Sequence, residues 1–75
     1  MKISKEDIAR IGEGFGGVLR NESSLDFALE IQQNKKLGEY KKLAYLLRAI
    51  LVDHPLSDGN KKTAMFVVFA FAEQN

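Results

Sequence analysis

Ala64-Met65-Phe66-Val67-Val68-Phe69-Ala70-Phe71-Ala72 is the stretch on which the fold turns. It is apolar at every position, so neither a period of two nor a period of 3.6 shows in it. Val and Phe favour strands, but nine residues is long for a strand and no hairpin turn lies nearby. A helix from about Asp58–Asn60 towards Glu73 is the expected reading. A helix apolar on all sides is expected to be buried on all sides. At nine residues the run is about half of the ~20 needed to cross a bilayer.

The rest of the chain must supply what surrounds that helix. Upstream, Tyr40, Leu43, Ala44, Leu47, Ile50 and Leu51 fall at i, i+3, i+4, i+7, i+10 and i+11. That spacing predicts a helix from about Glu39 to Val52 with those residues facing the core. It stops at Asp53-His54-Pro55, because the residue before a proline is driven out of the α region. Asn34–Gly38 reads as a loop. A helix starting at Ser23 or Ser24 precedes it, with Leu25, Ala28, Leu29 and Gln32 on one face and a capping-box spacing from Ser23 to Asp26. The first helix opens on Ser4 with Asp7 three residues on, flanked by Ile3 and Ile8 at the spacing of a hydrophobic staple. Gly12, Gly14, Gly16 and Gly17 weaken its second half, which is expected to end near Gly16–Gly17. The expected fold is all-α, with residues 1–75 forming one small domain.

Three short amphipathic helices barely enclose a fully apolar fourth. The chain therefore either self-associates or is part of a larger helical fold. A Phe66, Phe69 and Phe71 surface left exposed would be a partner site. A chain of 75 residues has a marginal core, and with no cysteine it has neither disulfides nor thiolate metal ligands. One histidine excludes a multi-histidine metal centre. The absence of cysteine and of an apolar leader in Met1–Asp7 points to the cytoplasm.

Net charge is +1 but uneven. Residues 1–34 hold four basic and six acidic side chains, whereas residues 35–62 hold seven basic and three acidic ones. The middle of the chain can attract an anion such as a phosphate, or present a solvated lysine-rich face. Nucleic-acid binding is disfavoured, since only Tyr40 and Tyr45 interleave with these charges.

The same region holds the chemistry, in His54-Pro55-Leu56-Ser57-Asp58-Gly59-Asn60-Lys61-Lys62-Thr63. An imidazole such as His54 can take a proton from a hydroxyl near neutral pH. Asp58 is a hard oxygen ligand suited to Mg²⁺. Gly59 allows backbone N–H groups to approach a ligand, and the helix start at Asn60–Lys62 suits phosphate. Two lysines in a first helical turn oppose the dipole unless an anion sits there. Base, metal ligand and anion cradle within ten residues are the parts phosphoryl or nucleotidyl transfer requires. Each residue also has an ordinary reading: a loop histidine, an N-cap aspartate, solvated lysines.

This segment resembles the Fic/Doc signature, His-x-Phe-x-Asp/Glu-Gly/Ala-Asn-Gly/Lys-Arg. Five of seven specified positions agree: His54, Asp58, Gly59, Asn60 and Lys61. Leu56 stands in place of Phe and Lys62 in place of Arg. Lys61 followed by Lys62-Thr63-Ala64 is more similar to the Doc (death-on-curing toxin) branch. Met65 occupies the position of the second arginine of adenylyl-transferring Fic proteins. Gly17–Leu29 is also similar to Doc-like proteins, though less specifically.

The resemblance implies an all-α domain with a buried helix after the motif, lacking C-terminal helices of the family core. It implies His54 as general base, Asp58 as Mg²⁺ ligand, and Gly59, Asn60, Lys61 and Lys62 as the nucleotide-phosphate site. In the Doc branch the reaction is phosphorylation by a nucleoside triphosphate such as ATP of a hydroxyl on an elongation factor, opposed by an antitoxin partner. In the Fic branch it is AMP transfer to a protein hydroxyl. A truncated relative acting as an interaction module is the non-catalytic alternative. The target-docking flap of the family would fall around Gln33–Tyr40. The spacing of an autoinhibitory motif at Ala9–Gly14 lacks its hydroxyl.

Overall fold

A computed structural model describes residues 2–74. Four helices follow in order: α1 (Lys5–Gly14), α2 (Ser23–Ile31), α3 (Glu39–Asp53) and α4 (Asn60–Gln74). They pack as a closed ring, α1 on α2, α2 on α3, α3 on α4 and α4 back on α1. The radius of gyration of 11.3 Å matches the roughly 11 Å expected of a compact chain this long. The described residues contain no strand, only an isolated antiparallel bridge between Leu19 and Leu56.

The start of α1 is the capping box the sequence predicts. The Ser4 hydroxyl accepts from Asp7 N–H at 3.1 Å and the Asp7 carboxylate accepts from Ser4 N–H at 2.9 Å. The helix ends at Gly14. Gly16 N–H then donates to Glu13 C=O and Gly17 N–H to Gly12 C=O, at 3.0 and 2.8 Å. Those two bonds are the Schellman arrangement, satisfying carbonyls the last turn leaves open.

The start of α2 departs from expectation. Its cap position is Glu22 and no side chain caps it, so the Ser23–Asp26 box does not form. The carboxylates that could have closed this end turn instead to α1. Lys5 Nζ lies 2.9 Å from Glu22 Oε1 and 3.0 Å from Asp26 Oδ1, and these bonds push the Lys5 ammonium's pKa upward. At the other end Gln32 Nε2 donates to Ala28 C=O and, at 2.9 Å, to Lys42 C=O, tying α2 to α3.

Ile8, Leu25, Leu46, Ile50 and Val67, drawn from all four helices, are fully buried at the centre. The inward side of α3 therefore differs from the expected stripe. Leu46, Ala49 and Ile50 are buried and Leu43 and Leu47 half-buried, while Tyr40, Ala44 and Leu51 are exposed. α3 has apolar residues around most of its circumference, so periodicity alone does not choose the face. Packing between α2 and α4 does.

The expectation that α4 is buried on all sides is also corrected. Ala64, Val67 and Phe71 are buried, but Met65, Phe66, Val68 and Phe69 are exposed. Three neighbouring helices would be needed to cover it, and only α1 and α3 touch it. Phe71 is buried as expected and packs edge-on against Tyr40 at 5.5 Å between ring centroids. No helix is long and apolar enough to cross a membrane among the described residues.

Thr63 is fully buried and its hydroxyl has no hydrogen-bond partner among the described residues. Thr63→Val, which keeps the shape and removes the orphan, should raise stability by about 1 kcal/mol in urea denaturation. The Asp7 carboxyl is held below its ordinary 3.8, chiefly by the N–H of Ser4 and then by the Ser4 hydroxyl. Its stabilising share is present above that pH and is lost as pH falls through the lower folded value. Asp7→Asn should therefore melt below wild type at pH 7, with the gap in Tm narrowing on acidification below pH 3.8.

Candidate active site

The segment between α3 and α4 is held on three sides. Pro55 and Leu56 are buried, and the Leu56 side chain lies against Gly12, where a Cβ would come within 2.5 Å of it. The chain leaving α1 runs antiparallel alongside. Ser57 N–H donates to Val18 C=O at 2.8 Å and Val18 N–H donates to the Ser57 hydroxyl at 3.0 Å. Arg20 and Asn21 N–H both donate to Pro55 C=O, at 2.7 and 3.2 Å. The Asn21 side chain reaches Asp53 C=O near the end of α3. Gly17 is buried flat against the Asp58 carbonyl, in space that a side chain would occupy. From the third side Asn60 closes the loop: its Oδ1 accepts from Leu56 N–H at 3.1 Å and its Nδ2 donates to Leu56 C=O at 2.9 Å.

His54, Asp58, Gly59, Asn60, Lys61 and Lys62 line one open cleft of about 360 Å³ together with Phe15 and Ser57. His54 is the residue that caps α3, at φ 48° and ψ 67°. It is the one described non-glycine residue with positive φ. An L-residue there is strained by roughly 1–2 kcal/mol. The backbone turn swings the chain out of α3 and into the buried Pro55. The exposed His54 ring makes no hydrogen bond to the described residues.

Asp58 does not cap α4 through its side chain. Its Oδ1 accepts from Gly59 N–H at 2.8 Å, leaving Oδ2 without a partner among the described residues. Gly59 sits at φ +75°, and a Cβ there would meet Phe15 Cβ at 2.8 Å. Glycine is therefore required both by the backbone conformation and by the approach of Phe15. Thr63 N–H is the first of α4 to find an acceptor, Gly59 C=O at 2.9 Å. The N–H groups of Asn60, Lys61 and Lys62 have none among the described residues, and no described carboxylate pairs with either lysine. Open donors, the helix dipole and two exposed ammonium groups make this a place for an anion.

Both ends of the Asn60 carboxamide are taken by Leu56, so its side chain shapes the loop, while its backbone N–H has no acceptor among the described residues. Phe15, Gly17, Val18 and Ser57 were not expected at the site. The signal for them was in the sequence as four glycines within residues 12–17, unfavourable in a helix and required for a close approach.

Among the described residues no group of three His, Cys, Asp or Glu could hold a metal. Mg²⁺, however, is commonly held by one or two carboxylates plus substrate phosphates. Asp58, with one oxygen uncommitted beside an anion-attracting helix end, fits that mode.

The family model described as Fic/DOC family matches residues 2–72. No curated protein and no solved structure matches the chain. With nearly its whole length matched, the chain belongs to the Fic/DOC family.

Because His54 occupies a left-handed position, His54→Gly should be more stable than His54→Ala by about 1 kcal/mol in urea denaturation. Equal stability would show that the turn is not held in the left-handed region.

Proposed function

We propose that this Fic/DOC-family chain is a nucleotide-dependent transferase of the Doc type, moving the γ-phosphoryl group of ATP to a Ser or Thr hydroxyl of a protein. The supporting observation is the single cleft that His54, Asp58 and the open N-terminus of α4 line together. The N–H groups of Asn60, Lys61 and Lys62, with both ammonium groups, bind the phosphates. Asp58 Oδ2 would hold Mg²⁺, which when bound would neutralise phosphate charge. His54, exposed and with its ring uncommitted, accepts the proton of the attacking hydroxyl. The hydroxyl oxygen bonds to the γ-phosphorus, the bond from that phosphorus to the bridging oxygen breaks, and ADP leaves.

Phosphoryl rather than adenylyl transfer is favoured by Met65. It is exposed one turn beyond Lys61 and offers no guanidinium to a second phosphate. An elongation factor as target and an antitoxin as opposing partner belong to the same reading, through the likeness to Doc proteins.

Mg²⁺ with ATP at about 100 times its Kd should add about 2.7 kcal/mol. In a domain this small that is on the order of 10 °C in Tm. Asp58→Asn should remove the Mg²⁺ dependence of that shift. His54→Ala should keep the shift and abolish transfer. ATP labelled at the γ-phosphate should label the target protein, and ATP labelled at the α-phosphate should not. No shift with Mg²⁺ and ATP would end the nucleotide reading, and labelling from the α-phosphate would replace phosphoryl by adenylyl transfer.

A further inference from the structure

Phe15 puts a phenyl ring on the cleft that His54, Asp58 and the start of α4 line. The core does not explain it. Among the described residues it belongs neither to the buried cluster around Ile8, Leu25 and Ile50 nor to the half-buried side chains packed on that cluster. Nor is it in either ring contact found there, Phe27 with Tyr45 and Tyr40 with Phe71. It stays 38% exposed. Its backbone, by contrast, is closely placed. Phe15 caps the end of α1, with its N–H on Gly12 C=O at 3.0 Å. The chain then turns away at once through Gly16, at φ 86°. The Cβ and carbonyl of Phe15 lie against Gly59, which has no room for a side chain beside them. Gly59 immediately precedes Asn60, Lys61 and Lys62, whose N–H groups are the open donors. An apolar ring is therefore held next to the anion-attracting end of α4.

We propose that Phe15 is the platform on which the base of the nucleoside triphosphate stacks, an inference that rests on the nucleotide-dependent transfer proposed above. A nucleoside triphosphate joins a polyanion to a flat ring system. The start of α4 with its lysines answers the first part, and Phe15 answers the second. Stacking needs no hydrogen-bonding group on the platform, because every base presents a π-face. A phenyl ring so placed ties affinity to the presence of a base and leaves the phosphates to the donors of α4. The target hydroxyl is left to His54, at the other end of the loop where α3 stops.

Calorimetric titration of the full chain with Mg²⁺ and either ATP or inorganic tripolyphosphate separates the two parts. Phe15→Leu keeps an apolar side chain at the end of α1 and removes the π-face. It should weaken ATP binding on the order of tenfold and leave tripolyphosphate binding unchanged. Phe15→Trp is the second variant should leucine perturb folding. The chain has no tryptophan of its own, so indole emission then reports this position alone. ATP should quench that emission and tripolyphosphate should not. Equal effects of Phe15→Leu on the two ligands, whether no change or a common loss, would overturn the inference and leave the phosphate site standing. So would indole emission that both ligands change alike. Binding of neither ligand to the unsubstituted chain would end the nucleotide reading, and this inference with it.

Discussion

The antiparallel hold of residues 17–21 on residues 53–58 is the constraint that the rest of this small structure depends on. Without it, α1 and α2 would be joined by a free turn, and so would α3 and α4. With it, two connections that are distant in sequence become one unit. The bonds between Val18 and Ser57 and from Arg20 and Asn21 to Pro55 connect positions more than thirty residues apart. Each such bond contributes only about 0.5–1.5 kcal/mol net. Their effect on geometry is larger than that figure suggests. They fix where α3 ends, and hence where His54 stands relative to the start of α4. Asn60 acts from the opposite side, so Leu56 is gripped through both of its backbone polar groups as well as through its side chain.

Much of this could be read from local chemistry. The Ser4–Asp7 box, the stop at Pro55 and the start of α4 are events within four or five residues, and each appears where its residue types demand. The Ser23–Asp26 box has the same spacing as the first and does not form. The difference is Lys5, which draws both Glu22 and Asp26 across to α1. No local pattern contains that competitor. The inward side of α3 was hidden for a related reason. Leu43, Leu46, Leu47 and Ile50 make as good a helical stripe as the one through Tyr40, Ala44 and Leu51. The selection is made by α2 on one flank and α4 on the other, a tertiary choice that hydrophobic spacing cannot encode when both stripes are apolar.

The candidate site was legible because its parts are nearly contiguous. A left-handed turn, a carboxylate, a glycine and a helix N-terminus occupy seven positions in a row, and their spacing alone brings them to one cleft. What surrounds them was not legible. Phe15 reaches the cleft from the end of α1 and Gly17 lies against the Asp58 backbone behind it, and the glycines there read first as weakened helix. Asn60 shows what residue type leaves open. A carboxamide beside an anion-attracting helix end is equally able to bind a ligand or to bind its own loop, and Leu56 takes both of its polar ends.

α4 meets three demands with one set of fifteen residues. Its first turn leaves its donors open and uncapped, which makes Lys61 and Lys62 there favourable only beside an anion. One side must close the core, through Ala64, Val67 and Phe71. The other side is apolar too, and exposed Met65, Phe66, Val68 and Phe69 carry an unfavourable hydration free energy of about 25 cal/mol per Å² of surface. A helix that answered only to its own core would carry polar residues there, as α1 does with Glu6, Arg10 and Glu13. The contrast between α1 and α4 within one chain is also why the run through Met65–Phe69 hid which side of α4 closes the core: apolar residues stand on both.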